Sequence, residues 1–307
     1  MKAIIHIGTP KSGSSSIQAF LAMNRKELRH RGVIYAPFNR AFGSQYEFAV
    51  TALEACDQTV PPELERRRLR FGARSDQTNY VAAYHDYLDN LLAQSTGTRF
   101  IGSSEHLHAW LRQPRQIAML DQFLSARFRS VEYLVYLRPQ HELVTSTYSE
   151  AIRRGATHDF ATHLARHSVV NHWALLKPWV QTVTRARLCV RLTCRDALEG
   201  GDLLNDFCKY AQIPAAGLPR PARVNAALCV SELALRRRLN QILPVLGRDG
   251  RHHWLYQAAL QSLRPVLARN PHPLHLTEGE CAQIKARNAQ GNEKLRKKFF
   301  PTRAELF

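Results

Sequence analysis

A short stretch near the start of the chain gathers residues suited to holding an anion: Ile4-Ile5-His6-Ile7-Gly8-Thr9-Pro10-Lys11-Ser12-Gly13-Ser14-Ser15-Ser16-Ile17-Gln18. The apolar run reads as a buried strand, the Gly/Ser-rich segment as a loop, and the residues from Ser14 onward as the start of a helix. Such a loop turns successive backbone N–H groups toward one point and adds the positive end of the helix, which together cradle a phosphate. Gly8 and Gly13 have the spacing of the two glycines in GxxxxGK[ST], but Ser14 stands where that motif has its lysine. A nucleoside triphosphatase needs that lysine to reach the β/γ-phosphates and a hydroxyl to hold Mg²⁺. Here the lysine is Lys11, inside the loop, where it can lie beside a bridging oxygen and stabilise charge on a leaving phosphate without a metal. An ordinary strand-to-helix turn is the plainer alternative.

A second anion grip is readable at Val131-Glu132-Tyr133-Leu134-Val135-Tyr136-Leu137-Arg138, a buried strand ending in a cation, after which Pro139 forces a turn. An arginine there can grip a phosphate with two N–H groups, and Ser146, eight residues on in the next helix, can add a hydroxyl. A surface ion pair for Arg138 and no role for Ser146 is the bland alternative. A third group follows the strand Phe100-Ile101-Gly102, where Glu105, His106 and His108 stand at the end at which open α/β sheets place ligands. Each is a candidate proton acceptor. Alternatively, Ser104 caps a helix and Glu105 serves its first turn.

Five apolar runs must carry these groups as strands: Ala3–Ile7, Val33–Tyr35, Phe100–Gly102, Val131–Leu137 and Arg187–Leu192. Helical periodicity fills the intervals, as in Ile17, Phe20, Leu21 and Leu28 before a stop at Gly32, so the expected fold is α/β, a parallel sheet with helices on both faces. Further helices are predicted at Leu143–Arg154, Asp202–Ala211, Ser231–Leu243 and Thr277–Phe299, the last opening with a Thr277/Glu280 capping box. Residues 1–307 read as a single domain with helical insertions near 40–97 and 214–275.

Composition bounds the partners. The 307 residues are 45% hydrophobic, enough for a sizeable core, and this excludes disorder. Six scattered cysteines without a CxxC pair argue against a disulfide scaffold and a structural zinc site, and point to a reducing, cytoplasmic setting. The opening apolar run is too short for a secretory signal, and no stretch approaches a membrane span. The net charge of +18 suits an anionic partner. The basic clusters Arg66-Arg67-Arg68, Arg236-Arg237-Arg238 and Lys294 to Lys298 sit in helical surroundings without interleaved aromatics, so nucleic acid is not expected, while peripheral contact with a membrane stays open. His6, alternating with Ile5 and Ile7, reads as a core histidine, and the histidines at 252, 253 and 272 have no third ligand at metal spacing.

Thr9-Pro10-Lys11-Ser12-Gly13-Ser14-Ser15 resembles the 5′-phosphosulfate loop of sulfotransferases that use 3′-phosphoadenosine 5′-phosphosulfate (PAPS), with a pattern close to T-x-K-[ST]-G-[ST]-[ST]. Arg138 and Ser146 resemble the 3′-phosphate element of the same family. Weaker likenesses to bacterial members acting on glycans or lipids lie at Gly201 to Phe207 and in Asn292-Glu293-Lys294-Leu295 with Phe299-Phe300-Pro301. The resemblance implies a P-loop, sulfotransferase-like fold and transfer of a sulfuryl group from PAPS to a hydroxyl, leaving PAP, with no metal required. It assigns Lys11 and Ser12, Gly13, Ser14, Ser15 and Ser16 to the 5′-phosphate, and Arg138 with Ser146 to the 3′-phosphate. Glu105 is favoured as the base over His106 or His108, because Ser-Ser-Glu after the strand resembles the glycan-acting branch. The family's Arg-Lys-Gly loop does not occur here, and Arg220 or Arg223 is a candidate substitute. The implied acceptor is a carbohydrate, glycolipid or small natural product, suited by the charge if anionic. A P-loop kinase using ATP and a basic protein binding nucleic acid or anionic lipid are the rival readings.

Overall fold

Short apolar runs become strands here because burial on both faces demands continuous hydrophobicity rather than alternation. The computed structural model describes residues 1–39, 44–61, 63–222, 228–246, 253–268 and 272–307. The chain opens with β1 (Lys2–Ile7), α1 (Ser14–Met23), α2 (Arg25–His30) and β2 (Val33–Ile34). It continues with α3 (Glu47–Glu54), α4 (Glu63–Leu69), α5 (Arg74–Ala93), β3 (Arg99–Ser104), α6 (His106–Trp110), α7 (Pro114–Ser125) and β4 (Ser130–Leu137). Then come α8 (Gln140–Arg153), α9 (Phe160–His167), α10 (His172–Thr182), β5 (Leu188–Leu192) and α11 (Leu203–Tyr210). The last helices are α12 (Val230–Ile242), α13 (Trp254–Ala268) and α14 (Glu278–Phe299). No described helix is long and apolar enough to cross a membrane.

The chain divides into two compact units: Met1–Arg138 with His172–Val224 and Phe307, and Pro139–Asn171 with Asn225–Leu306. The first holds the whole sheet, in the order β2-β3-β1-β4-β5. Every pairing is parallel. On one face, Ile4, Ile101 and Leu134 pack with Ile17, Phe20 and Leu21 of α1 and Phe207 of α11. On the other, Phe48 of α3 crosses Phe100 edge-on, and Trp179 of α10 lies against Tyr133. Helices therefore cover both faces, as the alternation of patterns predicts. Because the chain steps from β1 to β2 on one side and from β3 to β4 on the other, the topological switch falls at the carboxyl end of β1.

The first helix differs from its sequence reading. The periodicity of Ile17 to Leu28 predicts one helix, but the chain breaks between α1 and α2 at Asn24. The Asn24 amide donates to the carbonyl of Phe20 at 2.8 Å and to that of Pro219 at 2.9 Å, competing with the regular ladder. Gly32, at φ 75°, ends the turn that follows α2. The insertion over 40–97 holds α3, α4 and α5.

The second unit is helical. Tyr148 and Ile152 of α8 pack with Leu233 of α12, and Val144 of α8 packs with Leu164 of α9 and Ile284 of α14. The Thr277/Glu280 capping box forms at the start of α14.

One carboxyl is buried in the first unit with no cation paired to it among the described residues. Glu47 is 1% exposed, accepts from the Asn39 N–H at 2.8 Å and from Tyr80 Oη at 3.4 Å, and leaves Oε2 without a partner. Burial pushes its pKa from 4.5 up to about 7, against the lowering effect of its hydrogen bonds. Folding therefore binds a proton, so this contribution to stability is complete below 4.5 and is lost as pH rises through about 7. Its size is on the order of 3 kcal/mol. Glu47→Gln stays neutral and is expected to flatten that part of the pH dependence of unfolding free energy, read by urea denaturation across this range; an unchanged slope would show that Glu47 is not its source.

Candidate active site at the carboxyl edge of the sheet

Three segments leave the sheet side by side: the loop after β1, the turn after β3 and the end of β4. In the first, Lys11 at φ 57° and Gly13 at φ 90° take left-handed conformations with Ser12 between them. Alternation of this kind turns consecutive N–H groups into one concavity. Thr9 Oγ1 donates to the Tyr136 carbonyl of β4 at 2.5 Å, and Ser12 Oγ donates to the Thr9 carbonyl at 2.9 Å, so the loop is tied down at both levels. Gly13 is the N-cap of α1, and its carbonyl accepts from the N–H groups of Ser16 and Ile17. No side chain caps the helix and no acidic residue sits in its first turn. The earliest N–H groups of a helix have no partner within it, and the dipole adds partial positive charge there.

Two glycines set the packing of this loop. A Cβ on Gly8 would stand 2.7 Å from Ser14 Oγ and 2.9 Å from Glu105 Cα, so the missing side chain lets the turn after β3 close against the loop. A Cβ on Gly13 would stand 2.1 Å from Leu203 Cδ2. Ser14 Oγ is buried without a partner. An orphaned hydroxyl, an uncapped helix and a nest of N–H groups fit a phosphate-sized anion.

Arg138 closes the site from β4. Its Nη1 donates to the carbonyl of Lys11 at 3.0 Å, which brings the two sequence-predicted anion grips to one edge. His172, 3% exposed, donates from Nε2 to the Arg138 carbonyl at 2.9 Å and leaves Nδ1 without a partner. Burial lowers its pKa to about 4, so the ring is neutral near pH 7. Ser146 lies half-buried on α8, in the second unit.

Glu105 occupies the N-cap position of α6, yet its side chain makes no cap. Its Oε2 instead accepts from Gln18 Nε2 at 2.9 Å, and the carboxyl group is half-buried. Gln18 also reaches Ser103 Oγ at 3.4 Å, and His6 Nδ1 lies 2.9 Å from that same hydroxyl. His6 is a core residue, as its alternation with Ile5 and Ile7 predicts; burial lowers its pKa to about 3. His106 has Nδ1 at 3.1 Å from Ser44 Oγ and packs its ring on Trp110; burial lowers its pKa. His108 is buried, with its pKa lowered to about 3, first by desolvation and then by the nearby Arg112 charge. A ring of that basicity is a weak proton acceptor at pH 7.

Sequence reasoning misses Gln18, Thr9 and His172. Gln18 carries a usable signal, being a polar residue one turn past Ser14 on a helix face otherwise formed by Ile17, Phe20 and Leu21. Arg220 donates to Asp202 Oδ1 at 3.0 Å and to Asn205 Oδ1. Arg223 lies outside the described residues.

No family model matches the chain. A comparison with curated proteins also finds no match. Among solved structures, the chain is similar to a sulfotransferase from Alicyclobacillus acidocaldarius at 15% identity, over 87% of this chain and 96% of that one, with a TM-score of 0.36.

Gly13→Ala is expected to destabilise the protein by about 1–3 kcal/mol in urea denaturation, because the new methyl group meets Leu203. Adding Leu203→Ala frees that space and should separate the two costs, leaving about 1 kcal/mol from a side chain held at positive φ plus the cavity term. Equal stability of Gly13→Ala and the parent would show that the loop is not packed this way.

Proposed function

We propose that this chain is a sulfotransferase that moves a sulfuryl group from PAPS to an acceptor hydroxyl. The observation that carries the reading is the Arg138 to Lys11 hydrogen bond of 3.0 Å, which joins the two anion grips within reach of one doubly phosphorylated nucleotide. Backbone N–H groups of Gly13, Ser14 and Ser15 hold the 5′-phosphate, aided by the positive end of α1, while those of Ser12 and Ser16, expected from the sequence to join them, donate instead to the carbonyls of Thr9 and Gly13. Lys11 neutralises the charge gained by the bridging oxygen as its bond to sulfur breaks. Arg138 grips the 3′-phosphate, and Ser146 keeps the role that its spacing from Arg138 implies.

Glu105 takes the proton of the acceptor hydroxyl while the new oxygen–sulfur bond forms, with Gln18 holding the carboxylate in place. His106 and His108 are the alternative bases; burial lowers the pKa of both, which supports Glu105. The acceptor is proposed to be a carbohydrate, glycolipid or small natural product, and the +18 charge favours an anionic one.

Titration calorimetry with adenosine 3′,5′-bisphosphate, ADP and ATP tests the donor. Tighter binding of the bisphosphate is expected, weakened about 10- to 100-fold in Arg138→Ala, the range of a charged hydrogen bond. Preferential, Mg²⁺-dependent binding and turnover of ATP would replace this reading with a kinase. Glu105→Gln should leave bisphosphate affinity intact and lower turnover by about 10²- to 10⁴-fold.

A further inference from the structure

Four side chains form one polar line in the first unit, running from the core to Glu105. His6 Nδ1 lies 2.9 Å from Ser103 Oγ, Gln18 Nε2 donates to that oxygen at 3.4 Å, and the same nitrogen donates to Glu105 Oε2 at 2.9 Å. His6 of β1 and Ser103 of β3 are register partners on neighbouring strands, and Gln18 reaches them from α1. Ser103 is fixed in place, because its N–H donates to Gln45 Oε1 at 2.9 Å and its carbonyl accepts from the Gln45 N–H at 3.0 Å. His6, Ser103 and Gln18 are all buried.

Donors and acceptors along this line run one way. A carboxylate only accepts, so Gln18 presents its amide nitrogen to Glu105, and that nitrogen faces Ser103 as well. Ser103 Oγ therefore accepts from the amide and has one proton to give, for which His6 Nδ1 is the acceptor in reach. The imidazole then carries its own proton on Nε2, a buried atom without a partner. Folded proteins rarely tolerate such an orphan, and an apolar side chain would fill the core here at no such cost. The orphaned N–H is accounted for once the ring is there to receive the Ser103 proton. Tyr136 and Phe207 meet the ring edge-on, with centroids 5.9 and 6.1 Å away. Burial lowers the pKa of His6 to about 3, so Nδ1 stays an acceptor near neutral pH.

We propose that His6 and Ser103 are positioning residues for the base: the imidazole turns the Ser103 hydroxyl, the hydroxyl offers its lone pair to the Gln18 amide, and the amide holds Glu105 in one orientation. This rests on the reading of Glu105 as the proton acceptor.

Nitrogen-15 NMR of the histidine rings reads the tautomer, the His6 signals being identified by their loss in His6→Asn. A proton on Nε2 and a bare Nδ1 are expected; a proton on Nδ1 overturns the proposal. Ser103→Ala removes a single oxygen atom, and an unchanged circular dichroism spectrum shows that the variant is folded. It should move the carbon-13 signal of the Glu105 carboxyl, identified by its loss in Glu105→Gln, and should have no such effect in a chain already carrying Gln18→Leu. With PAPS as donor and water as the probe acceptor, giving sulfate, Ser103→Ala should lower kcat for PAP release about 10- to 100-fold and leave KM for PAPS unchanged. His6→Asn, whose amide oxygen accepts in place of Nδ1, should keep most of the turnover that His6→Phe loses. A carboxyl signal indifferent to Ser103→Ala, or full turnover in that variant beside an inactive Glu105→Gln, overturns the proposal and leaves the base standing. Turnover retained in Glu105→Gln overturns the base, and the positioning role with it.

Discussion

The guanidinium of Arg138 and the carbonyl of Lys11 tie together the carboxyl ends of two neighbouring strands, β1 and β4, through residues 127 apart in the chain. That carbonyl faces Arg138 because Lys11 adopts φ 57°, a conformation that costs a residue with a Cβ roughly 1–2 kcal/mol. The hydrogen bond, and the neighbouring one from Thr9 to Tyr136, offset this strain. Left-handed backbone at Lys11 and Gly13 is in turn what gathers the N–H groups of the loop, so the concavity and the cross-strand ties are one structure.

Lys11, Arg138 and the amino end of α1 bring positive charge together, and the first turn of the helix offers no acidic residue in return. Glu105 brings a carboxylate to the same edge, and the neutral Gln18 amide donates to it. An anion entering the loop therefore meets donors that are already oriented, and little reorganisation is left to be done on binding.

Much of this was readable without coordinates. Buried parallel strands announce themselves as apolar runs, so all five were legible, and the Gly8/Gly13 spacing marked the loop because only glycine tolerates the packing found at both positions. Arg138 and Glu105 stood out as polar residues directly after such runs. Partners made across the fold were hidden. Nothing local ties Gln18 to Glu105 or His172 to the Arg138 carbonyl, and the break at Asn24 depends on Pro219, which arrives 195 residues later. Nor does composition say that the chain leaves the sheet-bearing unit at Pro139 and returns to it at His172.

The strand order has a consequence for biosynthesis. β1 is made first, yet it pairs only with strands beginning at Arg99 and Ser130. At roughly 5–20 residues per second, on the order of ten seconds pass on the ribosome before its second neighbour is even translated. Until β3 is made the nascent Ile4–Ile7 run has no strand to pair with, and until β4 is made one of its edges stays unpaired.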